Sequence, residues 1–143
     1  MLKKMRKNDK GFTLAELLIV VAIIGVLVAI SIPIFTSQLE KAREATDMAN
    51  IRSAYAEVAA AALTDSDTTI TEEVAAKQTQ TGWQTNGDTE IAGIKLSAIT
   101  KNAKKGGTFT IKYTAGTDGT GKITIDDVEA KSSFKTTTST SGN

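Results

Sequence analysis

The sequence contains no cysteine and no histidine in 143 residues, and aromatic residues make up only 5% of it. Without cysteine, no disulfide can staple an exported domain, which must then be held by packing or assembly. The same absences exclude Ser-His-Asp and Cys-His catalysis and the usual zinc sites. Few aromatics disfavour a sugar-binding or strand-stacking surface. A carboxylate-only enzyme remains possible on composition, but no constellation of residues supports one, so we expect no enzyme, no catalytic residue, no metal and no cofactor.

The net charge of +1 conceals an asymmetry along the chain. Residues 1–10 carry five basic side chains against one acidic side chain, Asp9. Residues 12–143 hold the other 12 basic and 15 acidic groups, a net of −3. This balance predicts that the main body has no specific nucleic-acid site, because such surfaces are strongly basic.

One long apolar run dominates the N-terminal quarter. Leu17 to Phe35 is 19 residues without a charge, and as a helix it would span about 28 Å. The hydrocarbon core of a bilayer is about 30 Å thick. The run therefore predicts a single-pass membrane helix, and the basic leader before it places the N-terminus in the cytoplasm.

Two general alternatives also fit a basic segment followed by an apolar run. A Sec signal peptide would use Ala29-Ile30-Ser31 as its cleavage site, but its apolar region would be long and would contain Glu16. A plain signal anchor explains the length, yet it gives no role to Glu16 or to the Gly11-Phe12 junction. A charge near a membrane core is costly, so Glu16 is expected to be functional.

The stretch KGFTLAELL, residues 10–18, resembles the N-terminus of type IV prepilins and of the related pseudopilins. The resemblance rests on Gly11 followed by Phe12, on Glu16 four residues later and on the apolar helix, and it covers residues 5 to about 60. It implies that a prepilin peptidase cuts between Gly11 and Phe12 and methylates the new Phe12 amine. It also implies that Glu16 of one subunit neutralises the Phe12 amine of its neighbour during assembly.

Gly25 and Pro33 interrupt the apolar run with a weak helix former and a residue that cannot donate a backbone hydrogen bond. Both residue types are common in ordinary membrane helices. Counted from Phe12, however, they match the glycine and proline between which the helix of this family is thought to unwind on polymerisation. The implied partners are other copies of the chain, the prepilin peptidase, and a pilus assembly platform with its ATPase.

The helix is expected to continue to Leu63, because residues 36–63 contain no glycine or proline and carry an apolar stripe. The charged face opposite the stripe includes Glu40, Lys41, Arg43 and Glu44. The stripe, interpreted as a packing face for a small core, comprises Leu39, Ala42, Ala45, Met48, Ile51, Tyr55, Val58 and Ala62.

The C-terminal half predicts mainly β structure. Thr69 to Gln78 suggests a short capped helix, and Asn86-Gly87 a turn, while Ile91, Ile94 and Leu96 suggest an edge strand. Trp83 is expected to be a core or lid aromatic. Alternation in residues 107–128 predicts an antiparallel hairpin whose inward residues include Phe109, Ile111, Tyr113, Ile123 and Ile125.

Residues 116–127 also imitate a calcium-binding loop, but Gly116 and Thr120 occupy ligand positions, so a hairpin turn is preferred. Asp118 and Asp127 are the carboxylates of this imitation. The tail, residues 132–143, is rich in Ser and Thr and is expected to be flexible or to lie along a neighbour.

The predicted fold class is α+β: a type IV pilin fold, with a long N-terminal helix packed on a small antiparallel sheet. The predicted segments are a cleaved leader (1–11), a transmembrane and assembly helix (12–35), a helical spine (36–63), a globular head (64–131) and the tail (132–143). The predicted function is a structural pilin, membrane-anchored and then extracellular in a filament for adhesion, motility or DNA uptake. The alternative is a pseudopilin of a type II secretion or competence machine. The resemblance also implies that a pilin without cysteine comes from a Gram-positive bacterium.

Overall fold

A computed structural model describes Gly11, residues 13–65, 68–117 and 120–131, and the backbone of residues 134 and 135. The predictions made for residues 1–10, for Phe12, for Asp118 and for most of the tail fall outside the described residues. The chain divides into two units, Met1–Ser37 and Gln38–Asn143. Each unit is considered by itself below.

Helix α1 runs from Leu14 to Thr64 without interruption and contains Pro33. Its length follows from composition, because no other residue in it lacks a backbone donor and only Gly25 strongly lowers helix propensity. In the first unit it is long and apolar enough to cross a membrane, with a mean hydropathy of 3.1 over the best 18-residue window. Its large apolar side chains between Leu17 and Phe35 are each 44–68% exposed.

The second unit holds an antiparallel sheet and a small separate hairpin. The sheet has the strand order β1-β4-β5-β6, with β7 also pairing with β5, and the separate hairpin is formed by β2 and β3. The strands are β1 (Ile70–Ala75), β2 (Glu90–Ile91), β3 (Ile94–Lys95), β4 (Thr108–Ala115), β5 (Thr120–Ile125), β6 (Val128–Glu129) and β7 (Phe134–Lys135).

The core of this unit lies between one face of α1 and the inward face of the sheet. From α1 it takes residues such as Ile51 and Val58, and from β4 it takes Phe109, Ile111 and Tyr113. The register pairs Ile111 with Ile125. The predicted hairpin alternation is therefore present, with its apolar side chains buried. The α+β fold, a long apolar helix packed on a small antiparallel sheet, is confirmed.

The short helix predicted for Thr69 to Gln78 is wrong, because this segment forms β1 and pairs with β4. Ile70 lies opposite Tyr113 and Val74 lies opposite Phe109. Glu, Ala and a capping pattern favoured a helix locally, but propensity is a weak prior that tertiary pairing overrides. The predicted single edge strand over residues 91–96 is also different: Ile91 and Ile94 belong to the β2–β3 hairpin, and Leu96 begins a short 3₁₀ turn.

Asn86-Gly87 does form a turn, closed by the Thr89 N–H donating to the Asn86 carbonyl at 3.0 Å. Trp83 has the packing role that was predicted. Its ring stacks on Phe109 with a centroid distance of 5.7 Å, and its indole N–H donates to the Ile99 carbonyl at 2.9 Å. The aromatic ring thus holds an irregular segment against the core.

Candidate assembly site

Helix α1 begins with a reciprocal capping arrangement that includes the carboxylate singled out in the sequence. The Thr13 N–H donates to Glu16 Oε2 at 3.1 Å, and the Glu16 N–H donates to Thr13 Oγ1 at 3.2 Å. Such a capping box satisfies two of the helix's free N–H groups. Glu16 therefore has a local role in the isolated subunit, in addition to the pairing role that the sequence suggested.

The two glycines singled out in the sequence are not required by local packing. An added Cβ at Gly11 or at Gly25 would meet no atom within 4 Å, and neither glycine has a left-handed backbone. Alanine would fit at both positions in the isolated chain. Any requirement for glycine must therefore arise from something outside this fold, such as a protease cleft or a second state of the helix.

Near Pro33 two side-chain hydroxyls donate to helix carbonyls. The Ser31 hydroxyl donates to the Leu27 carbonyl at 2.7 Å, and the Thr36 hydroxyl donates to the Pro33 carbonyl at 3.0 Å. Pro33 has no N–H, so the normal helical bond to the Ala29 carbonyl is missing. The helix is continuous here but has one backbone bond fewer than its length would give.

In the second unit, three carboxylates on the helix hold an irregular segment, residues 77–85, which we call the strap. Glu40, Glu44 and Asp47 lie on one helix face and are 1%, 0% and 0% exposed. Each carboxylate accepts two backbone N–H groups of the strap. The charged face predicted for Glu40 and Glu44 is thus wrong, since both are buried.

The distances of these contacts are short. Gln80 N–H donates to Glu40 at 2.7 Å, and Lys77 N–H donates to Asp47 at 2.7 Å. The Thr85 hydroxyl donates to Glu44 at 2.6 Å. A buried carboxylate is costly unless it is hydrogen-bonded, and here strap N–H groups that lack strand partners supply those bonds.

Burial by itself raises the pKa of Glu40, but hydrogen bonds outweigh burial and lower that pKa to about 2. The donors are the Gln80 N–H, the Thr79 hydroxyl and N–H, and the Arg43 guanidinium. Arg43 lies 3.2 Å from Glu40 and also contacts the Thr79 hydroxyl. Glu40 is therefore ionised at neutral pH.

The burial of these carboxylates is not expected from the sequence, because charged side chains are normally exposed. At the N-terminal end of the predicted apolar stripe, Leu39 is 39% exposed, and Ala42 and Ala45 are also exposed. A usable signal was present, because Glu40, Glu44 and Asp47 recur at spacings of four and three, which places them on one helix face.

An exposed apolar helix with a capped acidic start, together with a small α+β body, fits a subunit that is anchored in a membrane. Residues 6–32 match the family described as the prokaryotic N-terminal methylation motif. The chain is 34% identical over 103 residues to the type IV narrow pilus major component PilA5 of Thermus thermophilus. That match covers 68% of this chain and 89% of the relative.

Two further relatives match this chain over shorter stretches. The type IV major pilin protein PilA of Myxococcus xanthus is 40% identical over 52 residues, covering 36% of this chain and 24% of the relative. The fimbrial protein EcpB of Eikenella corrodens is 56% identical over 36 residues, covering 25% and 23%. No solved structure gives a significant match. This chain belongs to the type IV pilin family.

The relatives bear on the choice between a structural pilin and a pseudopilin, which the sequence left open. Two of them are named as major pilin components, so the pseudopilin alternative is not favoured. A pilin with an N-terminal apolar helix fits a membrane-anchored protein that later becomes part of an extracellular pilus. The expected Gram-positive source finds no support in these comparisons.

Proposed function

We propose that this chain is the repeating subunit of a type IV pilus and has no catalytic activity of its own. The observation that carries the proposal is the exposed apolar surface from Leu17 to Phe35. So large an apolar surface is not left in water by a soluble protein. Lipid covers it while the subunit is stored, and helices of neighbouring copies cover it in the filament.

Processing comes first in this proposal. A prepilin peptidase and N-methyltransferase cuts between Gly11 and Phe12 at the cytoplasmic face and methylates the new Phe12 amine. The absence of any steric need for glycine at Gly11 supports this, since glycine leaves the backbone open to a protease cleft. An assembly platform and its ATPase then extract the subunit from the membrane.

The role proposed for Glu16 is to pair with the Phe12 amine of the neighbouring subunit. One of its oxygens accepts the Thr13 N–H, and a carboxylate has further acceptor sites. Capping and intersubunit pairing can therefore coexist. In a water-free filament core this pairing offsets the cost of both buried charges.

We further propose that the helix between Gly25 and Pro33 unwinds at least in part on assembly. In lipid an exposed backbone group is heavily penalised, so the segment stays helical in the stored subunit. In the filament, neighbouring chains surround it. The missing bond to Ala29 and the weak helix propensity at Gly25 lower the cost of this change.

Intact mass and N-terminal peptide mass spectrometry of sheared surface filaments test the proposal. The expected product begins at N-methylated Phe12. A chain that begins at Ile32 would instead establish a discarded signal peptide, and failure to recover filaments containing this chain would exclude a pilus subunit.

A pair of substitutions separates the two roles of Glu16. Glu16→Gln preserves the capping box, because glutamine also serves at that position, but it removes the charge. Glu16→Val removes both. If the charge pairs with the Phe12 amine, both variants insert in the membrane and neither assembles. If only capping matters, Glu16→Gln assembles normally, and the pairing role is refuted.

A further inference from the structure

Three lysines meet at one end of the sheet, and we call them the basic cluster: Lys77, Lys104 and Lys105. The Ala76 N–H donates to the Gly107 carbonyl at 2.8 Å, and the Gly107 N–H donates to the Lys104 carbonyl at 3.0 Å. These bonds bring the end of β1 beside the turn that carries Lys104 and Lys105. All three lysines are exposed.

No carboxylate of the described residues forms an ion pair with the basic cluster. Asp47, which is nearby, is buried and accepts the N–H groups of Lys77 and Gln78. Asp127 lies 3.8 Å from Lys101. The positive charge of the cluster is thus uncompensated within the described part of the subunit.

A second surface of the same unit has the opposite charge. Residues 65–76 contain four carboxylates and no basic residue. Asp65, Glu72 and Glu73 are exposed, and none is in an ion pair with another described residue. The last turn of α1 has no basic residue, so the negative end of the helix dipole adds to this surface. We call it the acidic end.

The two surfaces are too far apart to neutralise each other within one subunit. The basic cluster adjoins Asp47, whose carboxylate holds the Lys77 N–H. Asp65 lies 18 positions further along the chain, which corresponds to about 27 Å of helix. Glu73, the carboxylate of the acidic end nearest to Lys77 in the chain, is four positions before it in a largely extended segment, a separation of about 13 Å. Both separations exceed the Debye length of about 8 Å at physiological ionic strength.

We propose that the basic cluster of one subunit docks on the acidic end of the next. This inference rests on the proposed function and specifies a contact between heads in the filament. Two different patches that complement each other form a heterologous contact, and such contacts generate open helical polymers. A two-fold pair in which both surfaces are satisfied would close and stop growth, so the proposed filament requires the head-to-tail arrangement.

A second copy fits these surfaces better than a nucleic acid does. Residues 12–143 carry a net charge of −3, so the processed chain as a whole does not attract a polyanion. Each copy of the chain presents one acidic end for every basic cluster. The contact also adds direction, because every subunit must point the same way along the filament.

Charge reversal in the full-length chain tests the contact. Lys104→Glu with Lys105→Glu places like charges together, as does Glu72→Lys with Glu73→Lys. Each pair should lower the yield of sheared filaments about tenfold, because like charges then face each other across the interface, while the amount of subunit in the membrane stays unchanged. Combining all four substitutions should restore the yield to within about twofold of the native chain.

A matched control and three outcomes decide the result. The control is Lys122→Glu with Lys131→Glu, an equal charge change at two exposed positions outside both surfaces that should leave filament yield unaffected. If the native chain forms filaments, the contact is overturned when both reversed pairs give the native filament yield. It is also overturned when the combined variant does not regain that yield. If the lysine-reversed variant forms filaments at normal yield but these filaments no longer bind duplex DNA, the contact is overturned in favour of a polyanion partner. Failure of the native chain to form filaments would instead refute the proposed function.

Discussion

Glu40 and Gln80 lie forty positions apart in the chain, yet the Gln80 N–H donates to the Glu40 carboxylate at 2.7 Å. This bond joins α1 to the strap, the segment of residues 77–85. The same carboxylate accepts the Thr79 N–H and hydroxyl. Because the strap has no strand partner, its position depends on these helix carboxylates.

Glu40→Ala should destabilise the second unit by about 1–3 kcal/mol, because the part-buried hydrogen bonds from the Thr79 and Gln80 N–H groups lose their charged acceptor. The measurement is denaturant unfolding of the detergent-solubilised chain, followed by the fluorescence of Trp83, the single tryptophan. Lys41→Ala, an exposed neighbour on the same helix, is the matched control and should change stability little. Equal stability of the two variants would contradict the holding role of Glu40.

Stability should fall in acid through Glu40. Its folded-state pKa, about 2, lies below the ordinary value of 4.5, so its contribution is complete above about pH 4.5 and is lost as the pH falls towards 2. Glu40→Gln should therefore flatten the stability profile between pH 4.5 and 2, and an unchanged profile would assign acid sensitivity to other groups.

Gly121→Ala should disrupt the hairpin. A Cβ at Gly121 would lie 2.1 Å from the ring of Tyr113, and Tyr113 is 1% exposed and belongs to the core. Overpacking of this kind costs about 1–3 kcal/mol. Gly87→Ala, where the nearest atom is 3.4 Å away, is the control and should be close to neutral. Thermal unfolding monitored by circular dichroism compares the two variants.

Gly25→Ala should stabilise the helix yet reduce filament yield. Alanine meets no neighbour at this position and favours helix over glycine by about 1 kcal/mol, which opposes the proposed unwinding. Gly25→Ser raises helix propensity less and should give an intermediate yield. The membrane pool and the sheared filament fraction are compared for all three chains. Native yield from Gly25→Ala would leave this glycine as an ordinary tolerated residue.

The local sequence determined the features whose cause lies within a few residues. The apolar run from Leu17 to Phe35 requires a helix because of its length and composition, and Gly11, Phe12 and Glu16 carry the resemblance to type IV prepilins. Phe109, Ile111 and Tyr113 alternate with polar residues, so the sequence indicates both the strand and its inward face. Each of these features depends only on residues that are close to it in the chain.

Only the tertiary structure decided the features whose partners lie far along the chain. The segment containing Glu72 and Glu73 has helix-favouring residues, but it is a strand because β4, more than thirty positions later, offers a paired edge. Glu40, Glu44 and Asp47 look like solvent-exposed charges in sequence. They are buried because strap N–H groups 30 to 41 positions away need acceptors, and no local pattern records that need.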